Sequence, residues 1–272
     1  MADFTGGNGN DSYTGTSDND NITGNGGNDT LFGGGGTDNV NGNDGDDYLF
    51  GGDGNDNTGG VNGGEGNDKV YGGNGDDFVT GGNGADEVYG GAGRDVVFGG
   101  AGNDTIGGGL GDDFAIFGDA GQDIIFGGAD NGSDVIAGGA DNDTVYAGGG
   151  NDNVFGEAGN DLLFGGANGD QINGGAGNDT IWGGAGNDDM RGDDVGGAIA
   201  ADVFGFINGS GEDTIRDFDD GTDKIDLRGF AGASAGTITG FGTGTVTLND
   251  GSTIRVIFDG AGTLDASDFI FA

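Results

Sequence analysis

The sequence predicts an all-β protein: a right-handed parallel β-roll solenoid with 18 residues per coil, closed by a C-terminal β cap. Three observations lead there. Of 272 residues, 74 are Gly and none is Pro, and no Gly-X-Y triplet recurs, so the chain is not collagen-like. A nine-residue unit repeats from Gly6 to Arg191. Finally, 48 acidic residues stand against 7 basic ones, a net charge of −41.

The repeat is read position by position. Gly174-Gly175-Ala176-Gly177-Asn178-Asp179-Thr180-Ile181-Trp182 is a clean copy. There are 20 such units, and three are longer than nine residues: 51–62, 108–117 and 127–137. Closely spaced glycines let the chain turn through φ > 0. Where the fourth position is not Gly it is Asp18, Asp141 or Asn168; at the second, Asn25, Asn43 and Asp119 follow the same rule, whereas Thr16 and Glu157 do not. The last three residues of each unit predict a short strand with its eighth residue, nearly always Val, Ile or Leu, pointing inward. In the long units, 108–117 and 127–137 should bulge outward. Unit 51–62 should absorb Thr58-Gly59-Gly60 and keep Val61 inward.

Two units make one coil, and stacked coils make two parallel sheets. Two inward side chains per coil form a thin core against the entropy of ordering 18 residues, so a further stabiliser is expected. The sixth position supplies it. That position is Asp in every unit: Asp11, Asp20, Asp29, Asp38, Asp47, Asp56, Asp68, Asp77, Asp86, Asp95, Asp104, Asp113, Asp123, Asp134, Asp143, Asp152, Asp161, Asp170, Asp179 and Asp188. A single Asp in a turn needs no ligand role. Twenty in phase, beside backbone carbonyls, make all-oxygen shells suited to Ca²⁺. Two columns of ten give at most about eighteen inter-coil sites, whose charge would nearly cancel that of the chain.

Composition also excludes. The charge rules out direct binding to nucleic-acid backbones or anionic membranes. No apolar run is long enough to span a bilayer, and Met1-Ala2-Asp3-Phe4 does not open an N-terminal signal peptide. With no His and no Cys there is neither a His-dependent nucleophile nor a His- or Cys-ligated zinc site. Gly232-Ala233-Ser234-Ala235-Gly236 has the form of a nucleophile elbow but lacks a base. No enzymatic activity is expected. Lys69, Arg94 and Arg191 are read as isolated solvated charges.

The period ends at Arg191, which divides the chain into a roll, 1–191, and a C-terminal β cap, 192–272. In the latter, Thr245-Val246-Thr247-Leu248 and Thr253–Phe258 flank Asn249-Asp250-Gly251-Ser252, a hairpin signal. A solenoid needs a distinct surface over its last coil.

The nonapeptide resembles the RTX (repeats-in-toxin) motif over residues 6–191. Asp213–Phe218 and Gly221–Leu227 resemble the domain that closes the β-roll of serralysin-type proteases. Ser267–Ala272 is similar to an uncleaved type I secretion signal, although an edge strand on the cap would read the same way. The resemblance implies Ca²⁺ between coils, export from a Gram-negative bacterium by type I secretion machinery, and an extracellular location. The expected role is structural or interactive, at the cell surface or in the medium; the alternative is the C-terminal RTX module of a larger secreted protease, lipase, epimerase or adhesin.

One further pattern emerges when alternate units are aligned. In odd units the ninth position reads Thr14, Phe32, Phe50, Tyr71, Tyr89, Gly107, Phe126, Tyr146, Phe164 and Trp182. One sheet should carry an outward aromatic ladder with rungs about 4.8 Å apart. A strip of that length suggests a cover: a second copy, the cap or another domain.

Overall fold

A computed structural model describes residues 3–194, 198–230, 233–234, 239, 242, 244–248, 250–258 and 262–271. The chain winds as a parallel β-solenoid of about 12 turns, ~18 residues each. As far as Thr245–Thr247, consecutive strands alternate between two sheets, of 14 and 13 strands among the described residues. Each strand hydrogen-bonds the strands one coil before and after it: Val88 sits between Val70 and Ile106.

The eighth position builds the core. From Ile22 to Met190 these side chains are 0–2% exposed and belong to one continuous cluster. In the first coil, Phe4 and Tyr13 take the inward places and stack with ring centroids 4.4 Å apart. This partly buried aromatic pair closes the open end of the aliphatic column.

Strands run to six residues, twice the expected three. Thr30–Gly35 and Lys69–Asn74 show why. The Gly-Gly-x that opens each unit stays in the ladder, Gly52 pairing with Gly34 and Gly73, and only the next three positions turn. The second and fourth positions adopt left-handed backbone, as at Gly34 (φ 113°) and Gly36 (φ 122°). Asn25, Asn43, Asp119, Asp141 and Asn168 do so as expected, and so does Glu157 (φ 72°), held in register between Gly139 and Gly175. Thr16 and Asp18 do not. There the Thr16 hydroxyl accepts the Asp18 N–H at 3.2 Å, a side-chain turn that makes the left-handed step unnecessary.

The long units leave the register intact. In 108–117 Phe114 is pushed outward, 68% exposed, while Ile116 stays inward. In 127–137 the chain bulges around Asp130 and Asn131, and Ile136 keeps its core place. In 51–62 the extra length is 57–59, because Gly60 already begins the strand Gly60–Glu65 that carries Val61.

Both sheets continue beyond Arg191. Val203–Gly205 and Lys224–Asp226 extend the 13-stranded sheet, and Glu212–Phe218 the 14-stranded one, all parallel. Phe204, Ile215 and Ile225 carry on the core column. The expected hairpin is present, with Thr245–Thr247 antiparallel to Thr253–Phe258. Phe269–Ile270 is the last edge strand, on Lys224–Asp226. Residues 232, 235 and 236 of the elbow-like segment lie outside the described residues.

Candidate metal columns in the turns

Each sixth-position Asp sits where the turn enters a strand, and its side chain points into the roll. The Asp N–H donates to the Oδ1 of the Asp one coil further on, at 2.7–3.0 Å throughout. Two unbroken columns result. One runs Asp11, Asp29, Asp47, Asp68, Asp86, Asp104, Asp123, Asp143, Asp161, Asp179; the other Asp20, Asp38, Asp56, Asp77, Asp95, Asp113, Asp134, Asp152, Asp170, Asp188. The insertions do not interrupt them: Asp56 bonds Asp77 and Asp113 bonds Asp134 across 21 residues.

The other carboxylate oxygen is the unusual one. From Asp29 to Asp188 every Oδ2 in the columns is buried without a hydrogen-bond partner. In the units that open with Gly24 to Gly174 it lies over that glycine, alongside the opening carbonyl one coil on; unit 147–155 opens instead with Ala147. A Cβ on Gly72 would stand 2.7 Å from Asp77 Oδ2 and 2.5 Å from Gly90 O. Opening glycines therefore leave space for converging oxygens, a role separate from φ. Asp11 and Asp20 differ. Their Oδ2 atoms accept the N–H of Gly7 at 2.7 Å and of Thr16 at 2.6 Å within their own turns.

Burial, with repulsion between neighbouring carboxylates added, pushes Asp56, Asp68, Asp95, Asp104, Asp113, Asp134, Asp143, Asp161 and Asp170 up to about 7. Unpaired buried carboxylates of this kind must protonate or acquire a cation. Among the described residues no basic side chain bonds these oxygens. Lys69 pairs across strands with Glu87 at 2.5 Å, so it is not isolated; Arg216 pairs with Asp189 and Arg228 with Asp226. Among the described residues no three carboxylates converge on one point. Any ion here would combine one or two carboxylates with backbone carbonyls. Hard oxygen donors without His or Cys fit Ca²⁺, and the columns would hold it from both sides.

Sequence periodicity missed three members of the ladder. Asp202, Asp213 and Asp223 extend the columns with the same bond, Asp179 to Asp202, Asp188 to Asp213 and Asp202 to Asp223, at 2.8–3.0 Å. Irregular connections hide them from a nine-residue count. The local signature Asp-x-apolar persists in Asp202-Val203-Phe204, Asp213-Thr214-Ile215 and Asp223-Lys224-Ile225 and would have found them.

The aromatic ladder lies on the outer face of the 13-stranded sheet. Phe32, Phe50, Tyr71 and Tyr89 follow one another at 5.4–6.3 Å, and Phe126, Tyr146 and Phe164 at 4.9–5.4 Å. Tyr89 leans over Gly107, the gap between the blocks. Phe126 and Tyr146 remain 44% and 40% exposed. Among the described residues, the C-terminal segment meets the ladder at its last rung, where Trp182 lies against Gly205.

An acidic parallel β-solenoid with a phased carboxylate in each turn defines a class of repeat proteins built around cation-binding turns. The model for the RTX calcium-binding nonapeptide repeat matches residues 5–40, 32–58, 61–88, 80–115, 116–132, 129–163 and 164–194, and the chain belongs to that family. No curated protein matches the chain. Among solved structures, the solution structure of the AlgE6R3 subunit from the Azotobacter vinelandii mannuronan C5-epimerase is similar at 27% identity. It covers 52% of this chain and 81% of that one, with a TM-score of 0.27. Among the described residues no helix is long and apolar enough to cross a membrane.

Proposed function

We propose that this chain is a secreted RTX β-roll that binds Ca²⁺ through its two Asp columns, folds on binding it after export, and then serves a structural or interactive role at the cell surface or in the medium. One observation carries the reading: the buried Oδ2 atoms from Asp29 to Asp188, which among the described residues have no hydrogen-bond partner. Ca²⁺ between coils would supply that neutralisation, and the carbonyls over the opening glycines would complete each shell. Binding to the folded state alone makes folding follow free Ca²⁺. An exporting cell low in free Ca²⁺ would keep the chain unfolded for the type I machinery, and millimolar Ca²⁺ outside would fold it. The partly exposed aromatic ladder is the surface for a second copy or a covering domain. The roll itself carries the function without catalysis. Equilibrium dialysis tests the metal reading. On the order of fifteen to twenty Ca²⁺ should bind per chain with Mg²⁺ a poor competitor, and one or two ions per chain would overturn the metal reading.

A further inference from the structure

We infer that the metal columns do not stop with the repeats: Asp202 and Asp213 supply ligands for further Ca²⁺ ions that fasten the C-terminal segment to the last repeat coil. The inference rests on the calcium reading of the repeats and assigns sites outside them.

The hydrogen bonding of the repeat turns is reproduced there without their sequence. Asp179 N–H donates to Asp202 Oδ1 at 2.8 Å, and Asp188 N–H to Asp213 Oδ1 at 3.0 Å. The carbonyls of Asp179 and Asp188 accept the N–H groups of Val203 and Thr214 at 2.8 and 2.7 Å, as each repeat Asp accepts from the strand one coil on. Asp202 is 0% and Asp213 2% exposed, and both Oδ2 atoms are buried without a partner. Asp202 Oδ2 stands over Gly192, 2.1 Å from where a Cβ would lie; in the preceding unit Asp188 Oδ2 stands 2.3 Å from that point on Gly183. Gly192 also lends its carbonyl to the space over Gly174 that Asp179 Oδ2 occupies. One donor of the last repeat site thus comes from beyond Arg191.

Three of the segment's four basic side chains are engaged elsewhere. Arg216 holds Asp189, Arg228 holds Asp226, and Lys224 Nζ donates to the Asp223 carbonyl at 2.9 Å. Like the repeat carboxylates, Asp202 and Asp213 must protonate or acquire a cation, and the oxygen donors around them suit the ion proposed for the repeats.

The columns also have recognisable ends. Asp223 Oδ2 accepts the N–H of Asp219, four residues earlier, at 2.8 Å. Asp11 and Asp20 close on Gly7 and Thr16 at the same separation. Beyond Asp213 the register places Ile254, which has no ligand atom. Three of the four column ends accept an N–H from their own turn; Asp202 lies inside its column, and Asp213 is the last of its own with its Oδ2 accepting no such N–H.

The consequence is mechanical. Trp182, the one Trp of the chain, lies on the last repeat coil with its ring against Gly205 and near Gly229. Its emission therefore reports whether the C-terminal segment is docked.

The test compares full-length Asp202→Asn/Asp213→Asn with a mid-roll control, Asp95→Asn/Asp104→Asn. Asn keeps the Oδ1 acceptor of the ladder and turns an NH₂ toward the ion. Both variants are dialysed against millimolar Ca²⁺, and bound Ca²⁺ is counted by elemental analysis alongside Trp182 emission. The C-terminal pair should lose at least one ion per substitution and shift Trp182 emission to the red while the far-UV spectrum of the roll persists. The control should lose ions with Trp182 emission at the wild-type position. Should the double variant fail to fold, the two single variants are counted by the same criterion. An unchanged count in the C-terminal variants with loss in the control overturns this inference alone. No loss in either overturns the calcium reading of the repeats.

Discussion

Replacing Gly90 by Ala places a methyl group where the turn gathers its oxygens. The new Cβ would lie 2.5 Å from Asp95 Oδ2, 2.8 Å from Asp95 Cβ and 2.8 Å from Gly108 O, against 3.4–4 Å for ordinary contact. Gly90 has no left-handed backbone, so the cost is steric. Overpacking of this kind costs about 1–3 kcal/mol. In a domain of this size each kcal/mol lowers Tm by about 2–4 °C, so the melt in saturating Ca²⁺ should fall by roughly 2–12 °C. The fold tolerates the methyl itself, since Ala147 occupies the same position fully buried. Gly90→Ala should therefore still form the roll, and the loss should be local. The amide of Asp77, which donates to Asp95 Oδ1 at 2.9 Å, should exchange faster as that carboxylate is displaced. Gly9→Ala is the control, with nothing within 4 Å of its Cβ. If Gly90→Ala melts with Gly9→Ala and Asp77 stays protected, the space over the opening glycines does not organise the carboxylates.

Other perturbations have defined outcomes. Leu49→Ala removes one of the two inward side chains of its coil, 0% exposed, and should cost about 2–5 kcal/mol in urea unfolding with Ca²⁺ present; a loss below about 1 kcal/mol would mean the column is not close-packed. In EGTA the pH dependence has a definite sign. Burial raises Asp56, Asp95 and Asp143 from 3.8 to about 7, so the folded chain holds protons that the unfolded chain releases. The Ca²⁺-free roll is then most stable below about pH 4 and loses that stability as pH rises through 6–7. Its far-UV β signal in EGTA should grow between pH 7.5 and 4.5, and an unchanged spectrum contradicts the burial of these groups. The Phe50→Ser/Tyr71→Ser/Tyr89→Ser variant should sediment as a smaller species than wild type in Ca²⁺; identical monomers would reduce the ladder to stacking within its sheet.

The repeat made most of the fold legible, because each of its positions answers a separate physical demand. Apolar residues at the eighth place gave the core, and the ninth-place pattern located the ladder on one sheet. Strand length was not legible: the opening glycines have no strand propensity, yet register with the coils on either side holds Gly52 and Gly73 in the ladder. Counting nines also ended the columns at Asp188. The connection between Gly192 and Asp202 lengthens the unit without moving its carboxylate, so the physical repeat outlasts the sequence repeat. The Lys69–Glu87 pair was hidden because the two residues are 18 apart in sequence and adjacent only across neighbouring coils.

The central claim is that cations complete the turns and thereby fold the roll. Far-UV circular dichroism of the whole chain at neutral pH, first in EGTA and then through a Ca²⁺ titration, tests it most directly. The spectrum should be disordered in EGTA and convert cooperatively to β structure at millimolar Ca²⁺, and not with Mg²⁺ at the same concentration. A chain already β-rich in EGTA, with no response to Ca²⁺, would contradict it.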